Sequence, residues 1–178
     1  MKFGWTICAM GAGFALTVAG AAAAGLKLNT TPSLPMGIWQ ISPGAPTRGS
    51  IVLVCPPDTP MMRGAHAAGY IGNGSCRGGL APLLKPVAAV AGDEVSVTPR
   101  GVAVNGRLLP RSAPMKVDGA GRLLPTLDRQ PGVVPPGEIW LLSSYNPASF
   151  DSRYFGPIRS DQIAGVARPL LIKGSFHD

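Results

Sequence analysis

Between Lys2 and Lys27 the chain carries no charged side chain. An apolar helix over residues 3–26 is long enough to cross a bilayer core, which takes about 20 residues. A cleavable signal peptide is the competing reading, because residues 21–24 are alanines and supply the small side chains of such a site. The stretch exceeds the roughly 7–15-residue apolar core of a signal peptide, which favours a retained anchor over residues 1–27. Both readings export the remainder. Lys2 and the terminal amine face only Lys27 across the span, so flanking charge says little about orientation.

Residues 28–178 make one exported domain of ordinary size. Its expected character is mostly β. The chain has 24 Gly and 19 Pro against only 14% charged residues, a mixture that suits short strands and many turns and opposes a helical bundle. Residues 38–41 (IWQI), 51–55 (IVLVC), 83–90 (LLKPVAAV), 94–98 and 137–143 (GEIWLLS) read as strands, and residues 163–172 as a last pair of short ones. Residues 102–104 and 107–109 form the clearest hairpin, since Asn105–Gly106 supplies the positive φ angles a tight turn needs. Residues 56–79 show no periodicity and read as a long loop. Outside the anchor, helix signals are almost absent. This spacing predicts coiled antiparallel sheets or a small barrel.

Export governs the cysteines. Cys8 lies in the apolar stretch as a small filler. Cys55 and Cys76 lie in the exported part, where a disulfide persists if formed and would clip the long loop almost end to end. Free thiols are the alternative. Two cysteines with His66 or His177 make no zinc cluster, so no metal or other cofactor is expected. The net charge of +7 raises nucleic-acid binding, but Arg48, Arg63, Arg77, Arg100, Arg107, Arg111, Arg122 and Arg129 are scattered singly, without a basic stripe. Attraction to anionic lipid headgroups of the inner membrane fits that scatter better.

Three clusters carry possible chemistry. Lys85 interrupts an apolar strand, and burial there would lower its pKa and yield a neutral amine able to act as general base. The plain alternative is a lysine whose ammonium snorkels from an edge strand. Ser33 sits between Pro32 and Leu34–Pro35 in a constrained turn just past the anchor, readable as a nucleophile or as a Pro-rich linker. Residues 149–156 (SFDSRYFG) interleave polar groups and aromatics, and Asp151 with Arg153 offers a charge-assisted pair or an ordinary structural ion pair.

Taken in order, four stretches favour the chemical readings: SLPMGIW at 33–39, CRGGLAPLLKPVAAVAGDEV at 76–95, GVAVNG at 101–106, and PGEIWLLS at 136–143 with SFDSRYFGPI at 149–158. Their combination resembles the type I signal peptidase family, and within it the TraF-type peptidases of conjugative plasmid transfer. The resemblance implies Ser33 as nucleophile and Lys85 as general base. It implies the Ser33 backbone N–H and the Thr31 hydroxyl as oxyanion donors, and Ser149 as the group that orients the lysine. Asp151 and Arg153 match the bracing pair, with Asp151 contributing more directly to activity in the TraF branch. Two departures from ordinary signal peptidases point to that branch: Pro32 where a Gly is usual, and Ser144-Tyr145-Asn146-Pro147 where a Gly-Asp-Asn-Arg run is usual.

The function so implied is maturation of a membrane-embedded propilin on the periplasmic side of the inner membrane. A short C-terminal piece is removed and the new ends are joined through a Ser33 acyl-enzyme. Other proteins of the conjugation apparatus are further candidate partners. Two alternatives remain: a general signal peptidase that removes leader peptides, and a non-catalytic structural component of the mating apparatus. A self-cleaving repressor of the LexA type is disfavoured by an N-terminus that holds a span and no DNA-binding module.

Overall fold

The computed structural model describes residues 25–125, 127 and 129–175. The expected anchor falls, through residue 24, outside the described residues, as does Cys8. No helix among the described residues is long and apolar enough to cross a membrane.

Among the described residues, eleven strands form two antiparallel sheets. Strands β1 (Leu26–Asn29), β2 (Met36–Ser42), β3 (Ile51–Val54), β4 (Leu83–Ala89), β9 (Glu138–Leu141), β10 (Ile158–Arg159) and β11 (Ile163–Lys173) make the larger one, in the order β1-β2-β11-β3-β4-β9-β10. Strands β5 (Glu94–Thr98), β6 (Gly101–Val104), β7 (Arg107–Leu108) and β8 (Arg129–Val133) make the smaller one, in the order β7-β6-β5-β8. The β-branched runs bury alternate side chains as a half-covered pleat requires. Val95, Val97, Val102 and Val104 pack with Trp140 and Leu142 under the small sheet, while Val52, Val54, Val87 and Leu141 fill the centre of the large one. The β6–β7 hairpin turns at Asn105 (φ 51°) and Gly106 (φ 76°), as the Asn-Gly pair predicts.

Three local expectations are corrected. Residues 163–172 are one continuous strand, not two: β11 pairs with both β2 and β3, and Pro169 is absorbed by an irregularity between Pro169 and Leu171. The long loop 56–79 contains a helix, α1 (Pro60–Ala67), capped by the Thr59 hydroxyl, which accepts from Met62 N, and opened by Pro60. Strands β1 and β8 lie where no strand was expected, and β1 begins at Leu26, inside the segment read as anchor.

The α1 excursion folds back onto the domain. Met62 and Ala65 pack with Ile71, Leu80, Phe150 and Tyr154, and Cys55 and Cys76 are joined with their Cα atoms 5.5 Å apart. The excursion thereby becomes one wall of a cleft whose other wall is β1 and the turn that follows it.

Candidate active site

The turn carrying Ser33 is shaped by Asn29, the last residue of β1. The Asn29 side chain is buried, and its amide donates to the carbonyls of Thr31 (3.1 Å), Leu34 (3.2 Å) and Pro35 (3.1 Å). Its oxygen accepts from the backbone N–H (3.2 Å) and the hydroxyl (2.9 Å) of Thr31. Four of these five hydrogen bonds satisfy backbone groups that a tight turn would otherwise leave unpaired. Leu34, the residue after Ser33, is fully buried against Trp39, Leu84 and Ala167. Because Leu84 precedes Lys85, this apolar contact draws the serine turn onto the lysine strand.

Lys85 sits on β4 opposite Val52 of β3 and is only 4% exposed. Its amine donates to Ser149 Oγ at 2.5 Å. Burial pushes its pKa down to about 8; the Asp151 carboxylate pulls it back up, and the Arg153 guanidinium pushes it down further. The snorkelling alternative does not hold, because the amine is enclosed. Ser33, Thr31, Lys85 and Ser149 all line one cleft of about 430 Å³.

Residues 143–151 grip both partners. Ser143 Oγ donates to the Ser33 carbonyl (2.5 Å) and the Asn146 amide to the Pro32 carbonyl (3.3 Å), while Ser149 holds the lysine. This segment is itself held by Arg153 on the short helix α2 (Ser152–Phe155). Arg153 is wholly buried, and its guanidinium donates to the carbonyls of Arg111, Ser143, Pro147 and Ser149. It also forms a two-point pair with Asp151, Nε to Oδ1 at 2.8 Å and Nη2 to Oδ2 at 2.7 Å. Asp151 caps α2 and additionally accepts from the backbone N–H groups of Arg153 and Ser143. Its two oxygens therefore face Arg153 and the backbone, and it reaches the lysine through its charge.

The hydroxyl network fixes proton directions. The Thr31 hydroxyl spends its proton on Asn29 Oδ1, so in the 3.3 Å contact between Thr31 and Ser33 the serine is the donor. Ser33 Oγ is thus parked on Thr31, and Lys85 on Ser149. Catalytic hydrogen bonds commonly tighten only in the complex with substrate. For Thr31 to donate to an oxyanion, it must first release Asn29.

All six residues singled out in the sequence meet in one region: Thr31, Ser33, Lys85 and Ser149 in the cleft, Asp151 and Arg153 behind it. Asn29 and Ser143 escaped notice, because an Asn beside a turn and a Ser ending a strand are commonplace. Only their partners, one of them 110 residues away, reveal their roles. Among the described residues no group of three or more His, Cys, Asp or Glu side chains could hold a metal ion.

A model of the signal peptidase family, peptidase S26, matches residues 3–171 of this chain. The plasmid transfer protein TraF of Escherichia coli is 44% identical over 164 residues, covering 92% of this chain and 93% of that protein. The conjugal transfer protein TraF of Agrobacterium tumefaciens (strain 15955) is 42% identical over 165 residues, covering 92% and 89%. Among solved structures, a signal peptidase I from Enterococcus faecalis aligns with 70% of this chain and 98% of its own at 21% identity, with a TM-score of 0.38.

Proposed function

The chain belongs to the signal peptidase family, peptidase S26, and on that premise we propose that it is a Ser/Lys peptidase of a conjugative transfer system. The observation that carries the reading is the Lys85 amine, enclosed, shifted toward neutrality and sharing a cleft with Ser33.

In the proposed reaction, neutral Lys85 Nζ takes the Ser33 hydroxyl proton as Oγ bonds to the substrate carbonyl carbon. The tetrahedral adduct places its negative oxygen toward the Ser33 backbone N–H, with the Thr31 hydroxyl as second donor once it turns from Asn29. Collapse breaks the peptide C–N bond, and the Lys85 ammonium returns its proton to the leaving amine. An acyl-enzyme on Ser33 remains. A second nucleophile then loses a proton to Lys85 and displaces Oγ, which is reprotonated. If that nucleophile is water, the product is linear. If it is the substrate's own N-terminal amine, held near the ester at high effective concentration, the product is a ring.

The names of the relatives place them in plasmid and conjugal transfer. The substrate we assign is a membrane-embedded propilin, cleaved near its C-terminus and closed head to tail on the periplasmic side of the inner membrane, with the apolar stretch of sequence ahead of β1 as the anchor.

The test is mass spectrometry of the pilin from cells carrying the wild-type chain, Ser33→Ala, Lys85→Ala or Lys85→Arg. All three variants are expected to leave the propilin unprocessed, including Lys85→Arg, because a guanidinium stays protonated and cannot serve as base. Normal processing by any of them overturns the dyad. The wild-type product is expected to weigh one water less than the linear fragment and to resist Edman degradation. A free N-terminus would remove the ring closure and leave the peptidase.

A further inference from the structure

A second cavity, of about 320 Å³, adjoins the catalytic cleft and shares Gly69, Tyr70, Ala148 and Phe150 with it. Its interior is aromatic. Phe150 stacks on Tyr70 with centroids 5.4 Å apart and on Tyr154 at 5.6 Å, and Met115 and Leu124 add aliphatic surface. Its outer wall is a turn closed by the Val117–Leu123 bridge and organised by Asp118. That carboxylate accepts from the backbone N–H groups of Ala120 (2.9 Å) and Arg122 (2.8 Å), from Arg122 Nε (2.7 Å) and from the Tyr70 hydroxyl (2.6 Å). These donors, the Tyr70 hydroxyl foremost, hold Asp118 far below the usual carboxylate range. The Arg122 guanidinium lies 5.1 Å from the Tyr70 ring centroid. The charges at the rim are therefore paired with one another, and what the cavity presents to a visitor is apolar surface.

We infer that this cavity is a specificity subsite that receives a bulky apolar or aromatic side chain of the bound peptide, away from the bond that Ser33 attacks. The inference rests on the peptidase reading above. Its volume is at the small end of the roughly 300–1,000 Å³ of small-ligand sites, room for one large side chain and no cofactor. At the junction with the cleft, Gly69 and Ala148 carry little or no side chain, so an extended peptide crossing Ser33 can continue past Tyr70 and Phe150. Burying one large apolar side chain there contributes on the order of ten- to a hundredfold in affinity.

Ala68 and Ala120 line this cavity and not the cleft. The test selects phage-displayed random dodecapeptides on the full-length Ser33→Ala protein in detergent micelles, then repeats the selection with Ala68→Trp or Ala120→Trp added. The first selection is expected to enrich Trp, Phe or Leu at one fixed position, and a synthetic winner should bind about tenfold more weakly when that residue becomes Ala. Each tryptophan fills the cavity from its own wall, so both are expected to erase that preference and keep the remaining ones. Two walls guard against one variant failing to fold, which circular dichroism reports. Absence of a bulky preference at every position, or a preference that both tryptophan variants retain, overturns the subsite. If pilin processing still requires Ser33 and Lys85, such a result leaves the peptidase standing without the pocket. If processing does not require Ser33, the peptidase reading falls and the subsite with it.

Discussion

Lys85, the base of the proposed mechanism, shows how one residue can set a proposed function against stability. In the unfolded chain its amine titrates near 10.5, and in the folded protein at about 8. Below about 8 both states hold the proton, and the folded state bears the full penalty of an enclosed ammonium. The penalty shrinks as pH rises through 8 and is gone above the unfolded value. A shift of this size corresponds to roughly 3 kcal/mol, less about 1 kcal/mol for the hydrogen bond to Ser149. Lys85→Met is therefore expected to be inactive yet about 1–3 kcal/mol more stable at pH 7, with the advantage fading toward pH 10 in thermal melts. A variant less stable than wild type at pH 7 would contradict the buried-charge account. In the proposed mechanism activity is expected to follow the same titration with the opposite consequence, rising with pH through about 8 as Lys85 becomes neutral. Because the Asp151 charge raises the lysine pKa, Asp151→Asn should move whatever activity it retains to lower pH. An Asp151→Asn profile shifted upward would mean that the carboxylate acts on the proton in some other way.

At the scale of elements, the serine turn is held from two sides, by Asn29 behind it and by residues 143–151 across the cleft. Asn29→Ala strands three carbonyls and the Thr31 donors, at a cost of about 1–3 kcal/mol in chemical denaturation. It also frees the Thr31 proton and loosens the turn. Pilin processing should fall by at least about tenfold, since a 1 Å misplacement of a reacting group can cost up to 10²-fold. Thr31→Val, which removes a hydroxyl and keeps the shape, should slow processing by roughly 10²–10³-fold if that hydroxyl serves the oxyanion, while Thr31→Ser retains much of the rate. Equal rates for these two Thr31 variants would leave the backbone N–H of Ser33 without this helper. The strands legible in the sequence were those rich in Val and Ile, such as residues 51–54 and 94–98, where β-branched residues alternate or run together. Strands β1 (LKLN) and β8 (RQPGV) were not legible, because Lys27, Asn29, Pro131 and Gly132 are poor strand formers and the pairing is imposed by β2 and β5. Helix α1 did announce itself, through Thr59 followed by Pro60, but eight residues containing Gly64 give too little periodicity to see. The cleft residues were legible as types in an order, and their meeting was not, since it depends on Leu34 packing against Leu84.

On the scale of the whole molecule, two sheets hold the lysine strand rigid while the cleft is completed by parts that would be loose alone. One is the buried Arg153, which ties together four carbonyls and Asp151. The other is the excursion 56–79, whose Tyr70, Ile71 and Asn73 line the cleft and whose ends are joined through Cys55 and Cys76. Closing a loop of this length contributes about 2–4 kcal/mol. Both cysteines should resist alkylation until a reductant is added, and Cys55→Ser with Cys76→Ser should lower stability by about that amount and expose the excursion to protease; thiols that react without reductant would refute the bond. Such a bond forms in oxidising compartments and not in the cytosol. On the periplasmic placement proposed above, the crossing of the membrane would double as an arming step. In that reading a newly made chain holds Ser33 and Lys85 from the ribosome onward, but the wall against which a substrate would lie is fastened only after delivery, which would keep the cell's own interior from meeting the finished peptidase.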